Sequence, residues 1–149
     1  MKLEEWGPPI WKFFHVLTFR LKNPDLVTTL FNQIQQLCKY LPCPDCSQHA
    51  TAFFTRVPPG SIRTIIDLQN LLFVFHNSVN ARKKKPIYPA DLLAASYSSF
   101  DVIREYNNFS RVYNNRSGHN IRLFPNSMQR VFTNKGFRLW LIANYAAFV

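Results

Sequence analysis

The stretch "WGPPIWKFFHVLTFRL", residues 6–21, decides the fold. Gly7 and the Pro8–Pro9 pair mark an entry point, because proline suits a first helical turn, where the N–H it lacks has no partner anyway. Ile10, Phe13, Phe14, Leu17 and Leu21 then recur at three- and four-residue spacing, which lays them on one helical face. A first helix is expected from about Pro9 to Arg20.

The same period continues along the chain. Pro24 and Asp25 open a second helix, with Leu26, Leu30, Ile34 and Leu37 on one stripe and an end near Lys39. Pro42 stops it by disfavouring helical geometry at Leu41. "PCPDCSQHATAFF" (residues 42–54) reads as a third helix whose first turn holds two cysteines, and "VPPGS" (57–61) closes it. A fourth helix fits "IRTIIDLQNLLFVFHNSVNARKK" (62–84), with Ile65, Leu68, Leu72 and Val79 on one side, and "KKKPIYP" (83–89) stops it. "ADLLAASYSSFDVIREY" (90–106) fits a short fifth. From Asn107 the text turns rich in Asn and Ser, with apolar residues too sparse for a regular element until "FRLWLIANYAAFV" (137–149), which can dock on a surface.

The expected fold is therefore all-α: a four-helix bundle plus a short fifth helix, residues 1–106, followed by a C-terminal extension, residues 107–149, packed on the same domain. Four glycines in 149 residues suit helices better than a turn-rich sheet, and 47% hydrophobic residues, with fourteen Phe and six Tyr, suffice for a core without staples.

Charge and termini narrow the function classes. Eighteen basic and eight acidic residues give a net charge of +10, yet only Arg82 to Lys85 form a basic run, so no specific nucleic-acid partner is expected. No stretch reaches the roughly 18 apolar residues of a spanning helix. "MKLEEWGPP" (1–9) has acids and prolines where a signal peptide needs a basic start and an apolar run. The expected location is cytoplasmic rather than secretory; for a viral chain that means the host cytoplasm, with the virion as a second place.

Cys43 and Cys46 form a CxxC and Cys38 is left over. In a chain without an export signal such a pair binds metal or exchanges electrons. Zinc has candidate ligands in Cys43, Cys46 and His49, with Cys38, His15, His76 or His119 as a fourth, but no second ligand pair follows at regular spacing. This alternative is a zinc-stabilised basic interaction module without redox activity. On the redox reading, a CxxC opening a helix places its sulfurs near unpaired backbone N–H groups, which lowers a thiol pKa and favours the thiolate that exchanges with disulfides. Cys38 fits a small buried apolar residue.

Oxidation by such a pair needs a cofactor pocket, and three stretches offer one. Trp11 and His15 share a helix face four residues apart; Phe73, His76, Asn77 and Asn80 share another, followed by the basic run; Cys46, His49 and Phe53 share a third. Flat rings, amides and cations suit a flavin, its ring edges and a pyrophosphate.

In order and approximate spacing, "WGPPIWKFFH", "LPCPDCSQHA" and "FHNSVNARKKKP" resemble the Erv/ALR family of FAD-linked sulfhydryl oxidases, and most of all its compact viral members. The likeness covers about Trp6 to Tyr106. It implies FAD as cofactor, protein dithiols or a separate dithiol relay protein as electron donor, O2 as acceptor with H2O2 as product, and no resident metal. It implies Cys43 as the outer sulfur that meets substrate and Cys46 as the inner one beside the flavin. Trp11, His15, His49, His76, Asn77, Asn80 and Lys85 fall on positions that line the family's FAD site, with Trp6 and Gly7 at its entrance; Lys84 stands where the family often has a small residue, leaving the choice between Lys84 and Lys85 open. The resemblance also implies a homodimer through the first helices, with Phe13, Leu17 and the second-helix stripe as the apolar interface. A shuttle cysteine pair that many members carry on a tail is missing from this sequence.

Overall fold

The computed structural model describes residues 3–87, 97–114 and 124–149, all helices and connections with no strand among them. The helices are α1 (Leu3–Arg20), α2 (Val27–Cys38), α3 (Pro44–Thr55), α4 (Ile65–Arg82), α5 (Val102–Tyr113) and α6 (Phe124–Ala143), with short 3-10 turns at Pro24–Leu26 and Tyr145–Phe148. The expected helical class holds. Residues 90–96 of the expected fifth helix lie outside the described residues, as does His119.

Local signals set most boundaries. Asn23 caps the 3-10 turn that leads into α2, its side chain accepting from Asp25 N. Thr64 and Asp67 form a reciprocal capping box at the start of α4. α1 begins before the expected Pro9 and carries both prolines inside it. Burial explains the early start: Trp6 and Ile10, one turn apart, are both in the core, and seating the indole extends the helix through the prolines.

α1 is the central element, packed most extensively on α5 and next on α4, while α2 rests on α3, α4 and α6. Phe13 and Leu17 are fully buried, as are Leu30, Ile34 and Leu37 of α2. These are the residues the resemblance implied for a dimer interface, and here the chain's own C-terminal helices cover them. Phe13 packs against Phe109 of α5 at 4.8 Å and Phe137 of α6 at 5.7 Å between ring centroids. Tyr113 donates to Leu37 O at 2.7 Å, tying α5 to α2.

The text after Asn107 is thus far from irregular. Asp101 caps α5 by accepting from Ile103 N, and the helix continues through Asn107 to Tyr113. Its buried residues Val102, Glu105, Tyr106, Phe109 and Tyr113 are spaced as a helical stripe. α6 joins α5 through polar side chains: Tyr106 donates to Asn134 Oδ1, Asn134 Nδ2 donates to Ser110 Oγ and Asn114 Oδ1, and Arg130 Nε donates to Tyr113 O. The C-terminus returns to α1, where Arg20 Nε donates to Phe148 O and Lys22 N to Ala147 O.

Candidate functional site

Pro44 opens α3, so Cys43 becomes the N-cap and Cys46 sits in the first turn. The Cys43 sulfur accepts from Cys46 N at 3.3 Å. The preceding loop is pinned by Ser47, whose hydroxyl accepts from Leu41 N at 2.8 Å. Both cysteines are half-buried thiols, whereas Cys38 is closed off in the core, where burial pushes its thiol up.

Cys46 stands in the wall of a small cavity of about 40 Å³ with Trp6, Trp11, Cys38, His49, Phe75, Arg82 and Lys83 around it. A second, larger cleft of about 600 Å³ shares Trp11, Val79 and Lys83 with it. Gly7, Pro8, Lys12, His76, Asn80, Lys85, Tyr97 and Phe100 complete that cleft. Through that shared wall the two spaces bring Cys46 on one side and the basic side chains Lys12 and Lys85 on the other around Trp11, Val79 and Lys83. Cys43 lines neither.

The rings hold one another in place. Trp11 stacks on His76 at 4.2 Å with 7° between planes, and His15 Nε2 lies 3.0 Å from His76 Nδ1. His49 Nε2 is 3.2 Å from Ser78 Oγ, which links α3 to α4. Burial holds His76 down to about 4, with Lys85 adding to the shift, and holds His15 down to about 3, with His76 adding. His49 is lowered as well, by burial and then by Arg82, Arg56 and Lys83. Near neutral pH all three are uncharged donors and acceptors rather than cations.

The expected lowering of the active thiol is not found in this dithiol state. Burial, followed by the hydrogen bond and field of the Cys43 thiol, pushes Cys46 up to about 12, against an opposing pull from Lys83 and Arg82. Desolvation outweighs the pull of the two basic side chains here, as it does for thiols withdrawn from water.

The structure distributes the expected cofactor residues unevenly. Trp6, Trp11 and His49 line the small cavity, and Gly7, Trp11, His76, Asn80 and Lys85 the large one. His15 is fully buried and lines neither, so it holds His76 from behind. Phe53 packs on Phe75 at 4.9 Å, outside both walls, and Phe73 and Asn77 line neither. Lys84 has φ 58° in the turn closing α4, and Lys85, not Lys84, lines the cleft. Arg82 and Lys83 join the walls as members of the basic run, whereas Lys12, Phe75, Tyr97 and Phe100 lie outside the expected set. The basic run pointed to Arg82 and Lys83; nothing local marked Lys12, Tyr97 or Phe100, because α5 and its approach bring that wall together.

Among the described residues no three His, Cys, Asp or Glu side chains gather as metal ligands. His15 is paired with His76, and His49 with Ser78, instead of turning toward a shared ion.

The family model described as Erv1 / Alr family matches residues 8–99, more than half of the chain. The chain is similar to the FAD-linked sulfhydryl oxidase of African swine fever virus, 31% identical over 85 residues, which cover 55% of this chain and 71% of the relative. It is also similar to a putative FAD-linked sulfhydryl oxidase of Invertebrate iridescent virus 6, 27% identical over 93 residues, covering 56% of this chain and 84% of the relative. A counterpart from Invertebrate iridescent virus 3 is 30% identical over 99 residues, covering 62% and 65% respectively. No solved structure matches.

Proposed function

The chain belongs to the Erv1 / Alr family, and from that premise we propose that it is an FAD-dependent thiol oxidase that makes protein disulfides through Cys43 and Cys46. One observation carries the assignment of roles: Cys46 forms part of a cavity wall that shares Trp11, Val79 and Lys83 with the basic cleft, while Cys43, at the helix cap, stands outside it.

The residues fit the cofactor named for the relatives. A cleft of about 600 Å³ is within the usual size of ligand pockets, and it joins flat rings (Trp11, His76, Tyr97, Phe100) to ammonium groups (Lys12, Lys83, Lys85) suited to a pyrophosphate. Trp11, His76, Asn80, Lys83 and Lys85 would hold the cofactor.

The protein's own chemistry is exchange. A substrate thiolate attacks Cys43 Sγ of the oxidised pair, the Cys43–Cys46 bond breaks, and Cys46 leaves as a thiolate beside Lys83 and Arg82. A second substrate thiolate attacks the sulfur joined to Cys43, releasing the substrate disulfide and leaving the pair with two electrons. Bound FAD would supply the two-electron acceptor that links this reduced pair to O2, with H2O2 as product. The half-exposed Cys43 meets the donor, a protein dithiol or a small dithiol relay protein, while Cys46 faces the cavity between Trp11, His49 and Lys83.

The test is an absorption spectrum of the purified chain and its oxygen uptake with dithiothreitol, for wild type and Cys46→Ala. Flavin bands and thiol-dependent oxygen use, lost in Cys46→Ala, are expected, as is a mixed disulfide trapped at Cys43 in Cys46→Ser. A colourless, zinc-containing protein inactive even after added FAD overturns the reading.

A further inference from the structure

The positive charge of the chain is concentrated around its cysteine pair. Between Lys39 and Lys85, the stretch that holds α3 and α4, stand seven basic and two acidic residues, so about a third of the sequence carries half of the net +10. Of the two acids, Asp45 lies in the first turn of α3, and Asp67 is taken up by the start of α4, where it accepts from Arg63 N and Thr64 N.

Geometry sets three of the cations beside the pair itself. Arg82 Nη1 donates to Asp45 O at 3.4 Å, which ties the end of α4 to the turn between the two cysteines. Arg82 and Lys83 share the wall of the small cavity with Cys46 and His49. Arg56, at the end of α3, stands roughly two helical turns beyond His49 on the same face. Beyond the effect of burial, the charges of Arg82, Arg56 and Lys83 all bear on the His49 ring and hold it neutral. The three cations are exposed, and none of them is ion-paired with a carboxylate among the described residues. Cys43, at the helix cap next to them, is half-exposed.

We propose that this basic rim is the docking surface for the electron donor, and that the donor is a protein whose cysteine pair is set among carboxylates. The proposal rests on the oxidase reading for the direction of electron flow and on Cys43 as the sulfur the donor meets. Unpaired cations around a reactive sulfur speed the encounter with an anionic surface by factors of about 10 to 1,000 at low salt. They oppose a like-charged surface, so the rim selects among dithiol proteins by the charge around their cysteines. They also favour the thiolate of the incoming donor over its thiol, and the thiolate is the species that attacks. A contact of this kind acts through encounter rate more than through affinity, which suits a donor that leaves after each exchange.

The experiment uses three monocysteine peptides of one core sequence, flanked by glutamates, serines or lysines, each activated as a mixed disulfide with thionitrobenzoate. In the full chain carrying Cys46→Ser, Cys43 attacks the peptide sulfur, the peptide–Cys43 disulfide forms, and thionitrobenzoate leaves and reports the rate by its absorbance. The ratio of the Glu-flanked to the Lys-flanked rate cancels the intrinsic reactivity of Cys43. A ratio of at least ~30 at low salt is expected, with the Ser-flanked peptide between, falling below about 3 in ~1 M salt. Added to Cys46→Ser, Arg56→Glu should lower the low-salt ratio at least ~3-fold and Arg56→Lys should preserve it. Lys135→Glu makes the same change of net charge in the groove between α5 and α6, and should leave the ratio nearly unchanged. Equal rates for the three peptides overturn the proposal. So does a ratio that Arg56→Glu and Lys135→Glu lower alike, since that assigns it to net charge and not to the rim. A short DNA duplex that blocks all three peptides equally at moderate salt also overturns it, by assigning the rim to nucleic acid. Oxygen uptake of the wild-type chain with dithiothreitol tests the oxidase reading separately: a high peptide ratio without oxygen uptake keeps the acidic partner and overturns the oxidase.

Discussion

Glu105 of α5 is 3% exposed at its side chain and lies 3.4 Å from the Lys12 ammonium, whose own side chain is 37% exposed and rests 4.0 Å from the Phe100 ring centre. The two partners are unequal. Remove Lys12 and a carboxylate stays buried without its cation; remove the Glu105 charge and Lys12 can still reach water. Lys12→Met is therefore expected to cost roughly 2–3 kcal/mol and Glu105→Gln about 1 kcal/mol, read from urea unfolding. The reverse ranking would show that Glu105 is not what Lys12 compensates. The histidine pair gives a pH signature. In the unfolded chain both rings titrate near 6.5, whereas in the fold His76 takes its proton only near 4 and His15 only near 3. Between those limits the unfolded chain binds more protons. Stability from this pair is complete above pH 6.5 and drains away as pH falls toward 3. Unfolding midpoints measured between pH 7 and 4 should fall with acid, and His76→Gln should flatten the slope; an unchanged slope would rule the pair out as its source.

At the scale of elements, α5 gives the clearest contrast between what was written in the chain and what was read. Its stripe of Val102, Tyr106, Phe109 and Tyr113 follows the helical period as faithfully as that of α2. Asparagines, Ser110 and two arginines fill the other positions and lower the mean hydropathy, which hid a pattern that spacing alone revealed. Phe109 is fully buried among Phe13, Phe14, Tyr106 and Tyr113. Phe109→Ala should cost about 3–5 kcal/mol, measured by thermal or chemical unfolding. A loss under 1 kcal/mol would mean that α5 is not part of the cooperative core. α6 was harder to read for the opposite reason: its buried side mixes Arg130 and Asn134 with Phe137 and Leu141, and only their partners on α5 make those polar groups welcome inside.

On the scale of the whole molecule, the described helices share one apolar cluster that runs from Trp6 through α2 and α4 to Phe137 and Phe148. A boundary at Tyr106 cuts α5 in its second turn and strips Phe109, Tyr113, Phe137 and Phe148 from that cluster. A chain ending at Tyr106 is expected to lose its cooperative unfolding transition and its cofactor site together, checked by calorimetry and flavin retention. A truncated chain that stays folded and yellow would show that α6 and the end of α5 are dispensable. By itself, the sequence determined the all-helical class, the first four helices, the cysteine pair at a helix start and most of the ring and amide residues about the cavities. Those are matters of period, proline placement and side-chain type, which act over a few residues. Tertiary structure alone decided that α5 and α6 close the face of α1 and α2, that Tyr97, Phe100 and Lys12 wall the cleft, and that Cys46 is withdrawn far enough for desolvation to outweigh the pull of Lys83 and Arg82. Each of these depends on groups far apart in the chain being brought out of water together, and no local spacing encodes which surface will cover which.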